Sequence, residues 1–296
     1  MTNKPRLARR SVAEGTAALV LRDLKITKLK VDPTTIAERR DIVVQAKPDL
    51  HDGVSGMLVM VRDLFGIMYA TKVKSRGFQN FSIAHELGHY FIDGHYDALM
   101  TTGAHVSRAG FASVDPYEQE ADFFAAALLM PEVPFRQETS KHPAGLAVIR
   151  HLADTCETSL TATAIRYAGL TRDAVAVIIS TGPAIDYCFL SDSMKEAKGL
   201  SWLHKGSTIP SESMTATFNI DRDNVRCGRE DKGNGLLNDW MGGIRQYHVY
   251  EEVIGLGEYG RTLTVLSCRQ LSQAEDPDID DEEEALIESW TPRFKK

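Results

Sequence analysis

Cysteine is scarce in this 296-residue chain: Cys156, Cys188, Cys227 and Cys268 are the only four, and no two form a CxxC pair. That spacing excludes a zinc ribbon and gives no disulfide framework, so reduced thiols are expected. No apolar run approaches the ~20 residues of a membrane-spanning helix. Near the start, Ala17-Ala18-Leu19-Val20-Leu21 is bracketed by Glu14 and Arg22. It is too short for the core of a secretion signal, so a cytoplasmic location without membrane attachment is expected. An excess of basic residues is also missing. The net charge is −7, and eight acidic residues lie within Glu275–Glu284 alone. Without that patch the chain is close to neutral, which argues against a generally basic nucleic-acid binder. The acidic run reads as a solvated linker. A docking surface for a basic partner is its alternative.

What is present is an ordinary globular composition, 43% hydrophobic and 25% charged, at a length that suggests about two domains. Apolar spacing predicts an amphipathic helix over residues 9–24, with Val12, Ala17, Val20, Leu21 and Leu24 on its face. A short helix is expected at Pro33–Glu38 behind an Asp32 cap. Strands follow at 41–44, 56–61 and 66–71, the last two as a hairpin. Helices are expected over 78–92 and 117–129, joined by a loop over 93–116. Two short helical runs fill 144–167. After Asp173 the texture becomes strand-rich, with strands expected at 174–180, 187–190, 214–218, 247–254 and 262–267. These readings place a first domain at residues 1–140, a helical segment at 141–172 and a second domain at 173–296.

The chemistry concentrates in His85-Glu86-Leu87-Gly88-His89. Residues i and i+4 of a helix project about 40° apart, so both imidazoles face one point and can share a Zn²⁺ ion. Glu86 is then placed to act as general base toward a metal-bound water. Gly88 costs about 1 kcal/mol of helix propensity, which suggests close approach of another backbone beside the metal. A catalytic zinc site needs a third protein ligand. The segment Tyr117-Glu118-Gln119-Glu120-Ala121-Asp122 opens a second helix whose Ala121, Phe124, Ala125, Leu128 and Leu129 form an apolar stripe. Glu118 and Asp122 repeat the i, i+4 spacing, so one carboxylate can bind zinc while the other accepts the free N–H of a ligand histidine. Glu120 is the rival ligand but has no Asp at i+4. The plain alternative is that these acids only favour a helix N-terminus. His95, His105, Tyr90 and Tyr117 are candidates to stabilise a tetrahedral intermediate, weighed against simple packing roles.

His85–His89, Glu118–Asp122 and the stretch Ala121-Asp122-Phe123-Phe124-Ala125-Ala126-Ala127-Leu128-Leu129-Met130-Pro131 resemble the ImmA/IrrE family of metallopeptidases. The resemblance spans about residues 9–135. It implies an α+β fold with a compact zincin-like peptidase domain and a small sheet. It also implies zinc as cofactor, with His85, His89 and Glu118 as ligands, Glu86 as catalytic carboxylate and Asp122 supporting a ligand. Members are typically cytosolic, and several cleave helix-turn-helix repressors to derepress stress-response or mobile-element genes. That makes a protein substrate, such as a repressor, the expected partner. The later segments are similar in order and texture to a helix-turn-helix-like part and a C-terminal α+β, GAF- or PAS-like sensor domain open to a small-molecule or protein signal. Arg150, Arg166 and Arg172 are few for phosphate contact, so direct DNA binding by 141–172 stays an open expectation. The rival class is a non-proteolytic regulator in which the metal is structural and residues 141–296 bind DNA, a partner or a small ligand.

Overall fold

A computed structural model describes residues 6–48, 53–99, 104–108 and 113–272; the acidic run at 275–284 lies outside them. The fold is α+β, and the chain divides into two compact units. Residues 147–167 group with the first unit and 144–146 with the second, which resumes at Ala168.

The first unit begins with helices α1 (Arg10–Asp23) and α2 (Pro33–Glu38), the latter capped by the Asp32 side chain on Thr34 N–H. Strands β1 (Val43–Lys47), β2 (Val54–Val61) and β3 (Leu64–Ala70) follow. Helix α3 (Arg76–Phe91) carries the HExxH residues. Then come α4 (His95–Leu99), strand β4 (Ala104–Arg108), α5 (Pro116–Leu129), α6 (Glu132–Thr139), α7 (Leu146–Cys156) and α8 (Leu160–Leu170).

The stretch expected as one loop over 93–116 therefore contains α4 and β4. Strand β4, Ala-His-Val-Ser-Arg, alternates over only four residues and with its faces reversed, Val106 exposed and Ser107 buried, and it is held as an edge strand by pairing with β2. Tertiary pairing, not local pattern, creates it. The sheet order is β1-β3-β2-β4, with β1 parallel to β3 and the other pairs antiparallel. Leu58 and Ile67 face each other in register and are fully buried under α3.

Helix α3 is fixed from several sides. Ser75 caps its N-terminus, and the Asn80 side chain donates to the Glu157 carbonyl at 3.2 Å. Gly77 lies so close to the turn after α7 that a Cβ would come 2.6 Å from the Thr158 carbonyl carbon. Across α5, a Cβ on Gly88 would already lie 3.0 Å from Ala121 Cα. Glycine here lets two helices approach beside the HExxH face, which offsets its poor helix propensity. Arg166 is buried rather than presented to solvent: it donates to Glu14 at 2.9 Å and to the Met130 carbonyl at 3.2 Å.

The second unit is built on β5 (Val175–Thr181), β6 (Ala184–Leu190), β7 (Glu230–Leu236), β8 (His248–Gly255) and β9 (Thr262–Ser267). They form an antiparallel sheet in the order β6-β5-β9-β8-β7. Short helices α9 (Asp192–Lys195), α10 (Met214–Ile220), α11 (Arg222–Arg226), α12 (Leu237–Met241) and α13 (Arg269–Ser272) accompany it. Ala176, Ile178, Met194, Trp240, Val249 and Leu266 are among its core residues. Met214–Phe218, expected as a strand, is helical. Ser213 caps it, and the buried Glu251 carboxylate accepts from Thr215 N–H and Oγ1 at 2.7 and 2.6 Å. Those two bonds hold a β-branched segment in a helical turn against its intrinsic preference. Strand β7, Glu-Asp-Lys-Gly-Asn-Gly-Leu, carries almost no apolar signal in its sequence; it is an edge strand paired with β8.

Candidate metal centre

Helices α3 and α5 bring His85, His89 and Glu118 together. Asp115 caps α5 through Tyr117 N–H, and Pro116 opens it, which sets Glu118 in the first turn. His85 Nε2 and His89 Nε2 are 3.0 Å apart. Glu118 Oε2 is 3.3 Å from His85 Nε2, and its Oε1 is 3.2 Å from His89 Nε2. A tetrahedral ion with bonds of about 2.0–2.1 Å requires ligand atoms about 3.3 Å apart, so this triangle has nearly the right edge. Both histidines are buried.

The tautomers follow from the partners. A carboxylate only accepts, so His85 Nδ1–H donates to Asp122 Oδ1 at 2.8 Å and Nε2 is left facing the centre. His95 Nε2–H likewise donates to Glu120 Oε2 at 3.0 Å. The neutral His95 then accepts at Nδ1 from His89 Nδ1–H, 3.1 Å away, and His89 Nε2 also keeps its lone pair for the centre. Each of these two imidazoles is thus oriented through its far nitrogen, the support usual for a histidine that binds a metal.

Glu120 is the hub of that second arm. It is completely buried; Arg6 Nη2 reaches both its oxygens at 3.0 Å, and Arg9 donates through Nη2 at 2.8 Å and backbone N–H at 2.9 Å. Burial works against its ionisation, but Arg9 and His95 outweigh that and hold its carboxyl down at about 2. Glu120, weighed from the sequence as a rival ligand, is thereby committed to Arg6, Arg9 and His95.

The electrostatics call for a cation. Burial opposes charge on His85, yet Asp122 and Glu118 raise its pKa to about 10. Burial lowers His89 to about 3, so it stays neutral. Burial works against charge on Glu118 too, but His105, His85 and His89 hold its carboxyl far below the usual range. Glu86 is fully buried, and burial pushes its carboxyl up to about 7. Neither Glu86 oxygen has a well-aligned hydrogen-bond partner among the described residues, although the Ser107 hydroxyl lies near enough to draw its pKa down against the effect of burial. A buried carboxylate without a well-aligned partner, beside two imidazoles and a second carboxylate, is the donor set that suits a zinc ion and its water.

His95 and His105, weighed from the sequence as donors to a tetrahedral intermediate, are instead hydrogen-bonded to Glu120 and Glu118. His105, on β4, donates from Nε2 to Glu118 Oε1 at 2.8 Å, which steadies the proposed third ligand. A Cβ on Gly56 of β2 would meet Glu86 Oε1 at 2.6 Å. An isolated glycine inside a strand is a sign of such close approach. Of the other candidates, Tyr117 lies under the Arg6 guanidinium at 3.7 Å, and Tyr90 packs edge-on against Phe65.

A buried HExxH helix crossed by an acid-bearing helix, over a small mixed sheet, defines a metallopeptidase-type unit. Residues 37–167 match the profile of the IrrE N-terminal-like domain, Peptidase M78. No match was found among curated proteins. Among solved structures, a Mycobacterium tuberculosis transcriptional regulator has a similar fold, with a TM-score of 0.56 at 14% identity over 88% of this chain and 77% of that chain.

Proposed function

We propose that this chain is a zinc-dependent endopeptidase that cleaves a protein substrate, a helix-turn-helix transcriptional repressor being the first to test. The observation that carries the reading is Glu86: buried, without a well-aligned partner, and next to the His85–His89–Glu118 triangle. Those three residues would hold a zinc ion, which would supply Lewis acidity to a water and to the scissile carbonyl. Glu86 takes the proton from the attacking water and releases it to the leaving amine nitrogen. A carboxyl raised toward 7 by burial suits both transfers. Asp122 and His95 keep the two imidazoles aimed, and His105 steadies Glu118.

Residues 173–296 act in this reading as a regulatory domain, and the whole works in the cytoplasm to relieve repression of stress-response or mobile-element genes. The fold shared with a transcriptional regulator is consistent with a role in gene control. The same likeness supports a second reading, a non-proteolytic regulator with a structural metal.

Glu86→Gln separates the two. It preserves size and helix propensity but cannot accept a proton from water. The variant is expected to keep its zinc and fold while losing cleavage of a co-expressed repressor encoded beside it. If the variant still relieves repression, the non-proteolytic reading is right.

A further inference from the structure

Outside the HExxH centre, one other trio of described residues brings metal-ligating atoms together, each atom within 4.8 Å of the others. We propose that Glu138, His142 and His151 form a second site for a divalent transition-metal ion of the zinc type, joining α6 to α7.

Glu138 stands in the last turn of α6, His142 follows in the turn beyond it, and His151 projects from α7. The elements are anchored from below: Phe135 and Thr139 bury one face of α6, and Ile149 and Leu152 bury one face of α7. Glu138 and His151 are therefore presented by packed helices, and His142 by the turn after α6, where its backbone N–H donates to the Thr139 carbonyl at 3.1 Å. Glu138 Oε1 is 2.9 Å from His151 Nε2 and 3.6 Å from His142 Nε2. These distances bracket the edge of about 3.3 Å that tetrahedral zinc bonds require. The two imidazole rings lie 4.6 Å apart between centroids. Lys141 Nζ occupies the other oxygen, Oε2, at 2.7 Å, which leaves Oε1 for the two histidines.

The chemistry of the set selects the ion. Two imidazole nitrogens and one carboxylate oxygen suit zinc, nickel or copper and disfavour magnesium and calcium, which seek oxygen shells. Lys141 and His151 hold the Glu138 carboxyl at about 2, so the oxygen is ionised across the physiological range. The histidine side chains are 36% and 43% exposed, which gives an ion an entry path, room to turn the rings inward, and water for its remaining position. This site does not depend on the peptidase reading, since it shares no residue with it.

The test is zinc stoichiometry by equilibrium dialysis of the full chain against ZnCl₂. Wild type is expected to hold two ions, and His151→Ala, His142→Ala and His85→Ala one each. Circular dichroism checks that each variant is folded, and the exposed positions of His142 and His151 make alanine tolerable there. Wild type holding one ion that His85→Ala abolishes, with His142→Ala and His151→Ala unchanged, overturns the second site and leaves the first intact. One ion in wild type that His151→Ala abolishes and His85→Ala spares supports the second site and refutes the first. Glu138→Gln, which keeps the shape but not the charge, is expected to weaken the second ion's binding; binding equal to wild type in that variant counts against the assigned donor set.

Discussion

The buried chain from Glu120 through His95 to His89 makes a quantitative prediction about metal affinity. His95→Phe replaces the imidazole with a ring of similar shape and removes both nitrogens. His89 Nδ1–H then loses its acceptor at a position that is 1% exposed. An unsatisfied buried donor costs about 1–3 kcal/mol. His89 can escape that cost by moving its proton to Nε2, but Nε2 is the atom 3.2 Å from Glu118 Oε1 that faces the centre. Either way the penalty is charged against metal binding. It corresponds to a loss of about 10–100-fold in zinc affinity, the range found when a ligand histidine's outer partner is removed. The assay is competition with a chromophoric chelator, run beside Asp122→Ala, which removes the equivalent partner of His85 at 2.8 Å. Both variants are expected to weaken zinc by similar factors. If His95→Phe binds within twofold of wild type while Asp122→Ala is weakened, His95 does not orient His89 and the argument is wrong.

Glu118→Ala is expected to weaken zinc by more than about 100-fold, and Glu120→Ala by only the 10–100-fold of an indirect support; isothermal titration gives the ranking, and the reverse order would transfer the third-ligand role to Glu120. Gly56→Ala sets a Cβ 2.6 Å from Glu86 Oε1 and 3.1 Å from its Cγ, so the carboxylate must shift. Zinc content is expected to hold while turnover of a cleavable repressor falls about 10–100-fold, the usual consequence of misplacing a reacting group by about 1 Å. For pH, Glu120 is held at about 2 against an ordinary 4.5. A depressed folded-state pKa gives stability that is complete above about 4.5 and is lost as pH falls toward 2. With Arg6 and Arg9 partly exposed, screening reduces the contribution to about 1–3 kcal/mol. Glu120→Gln should therefore flatten the acid limb of a denaturant-stability profile between those pH values, and an unchanged limb would show that the carboxylate is not so held.

Much of this protein was legible without coordinates because the relevant spacings are local. Two histidines four apart on a helix must share a face, and Asp32 caps α2 through a bond that spans two residues. The alternating and β-branched runs of β3, β5 and β9 announce themselves in the same way. Edge strands do not. The pattern of β4 is short and puts Val106 outward, β7 has almost none, and each exists because a neighbour supplies hydrogen bonds. Met214–Ile220 likewise became helical only when Ser213 and the distant Glu251 supplied its N-terminal bonds.

At the candidate metal centre the divide is sharper. Sequence spacing set His85, Glu86 and His89 on one helix and offered Glu118 and Glu120 as alternatives two residues apart. Residues so spaced point to nearly opposite sides of a helix, so only the docking of α5 decides which side faces α3. The contact of Gly88 with Ala121 makes that decision. It turns Glu118 toward the histidines, and Glu120 toward His95 and two arginines more than 100 residues away in the chain. Local periodicity determines which groups share a helix face. Long-range packing alone determines which face meets the metal, because a carboxylate pairs with whatever charge the fold brings within about 3 Å, however far away along the chain.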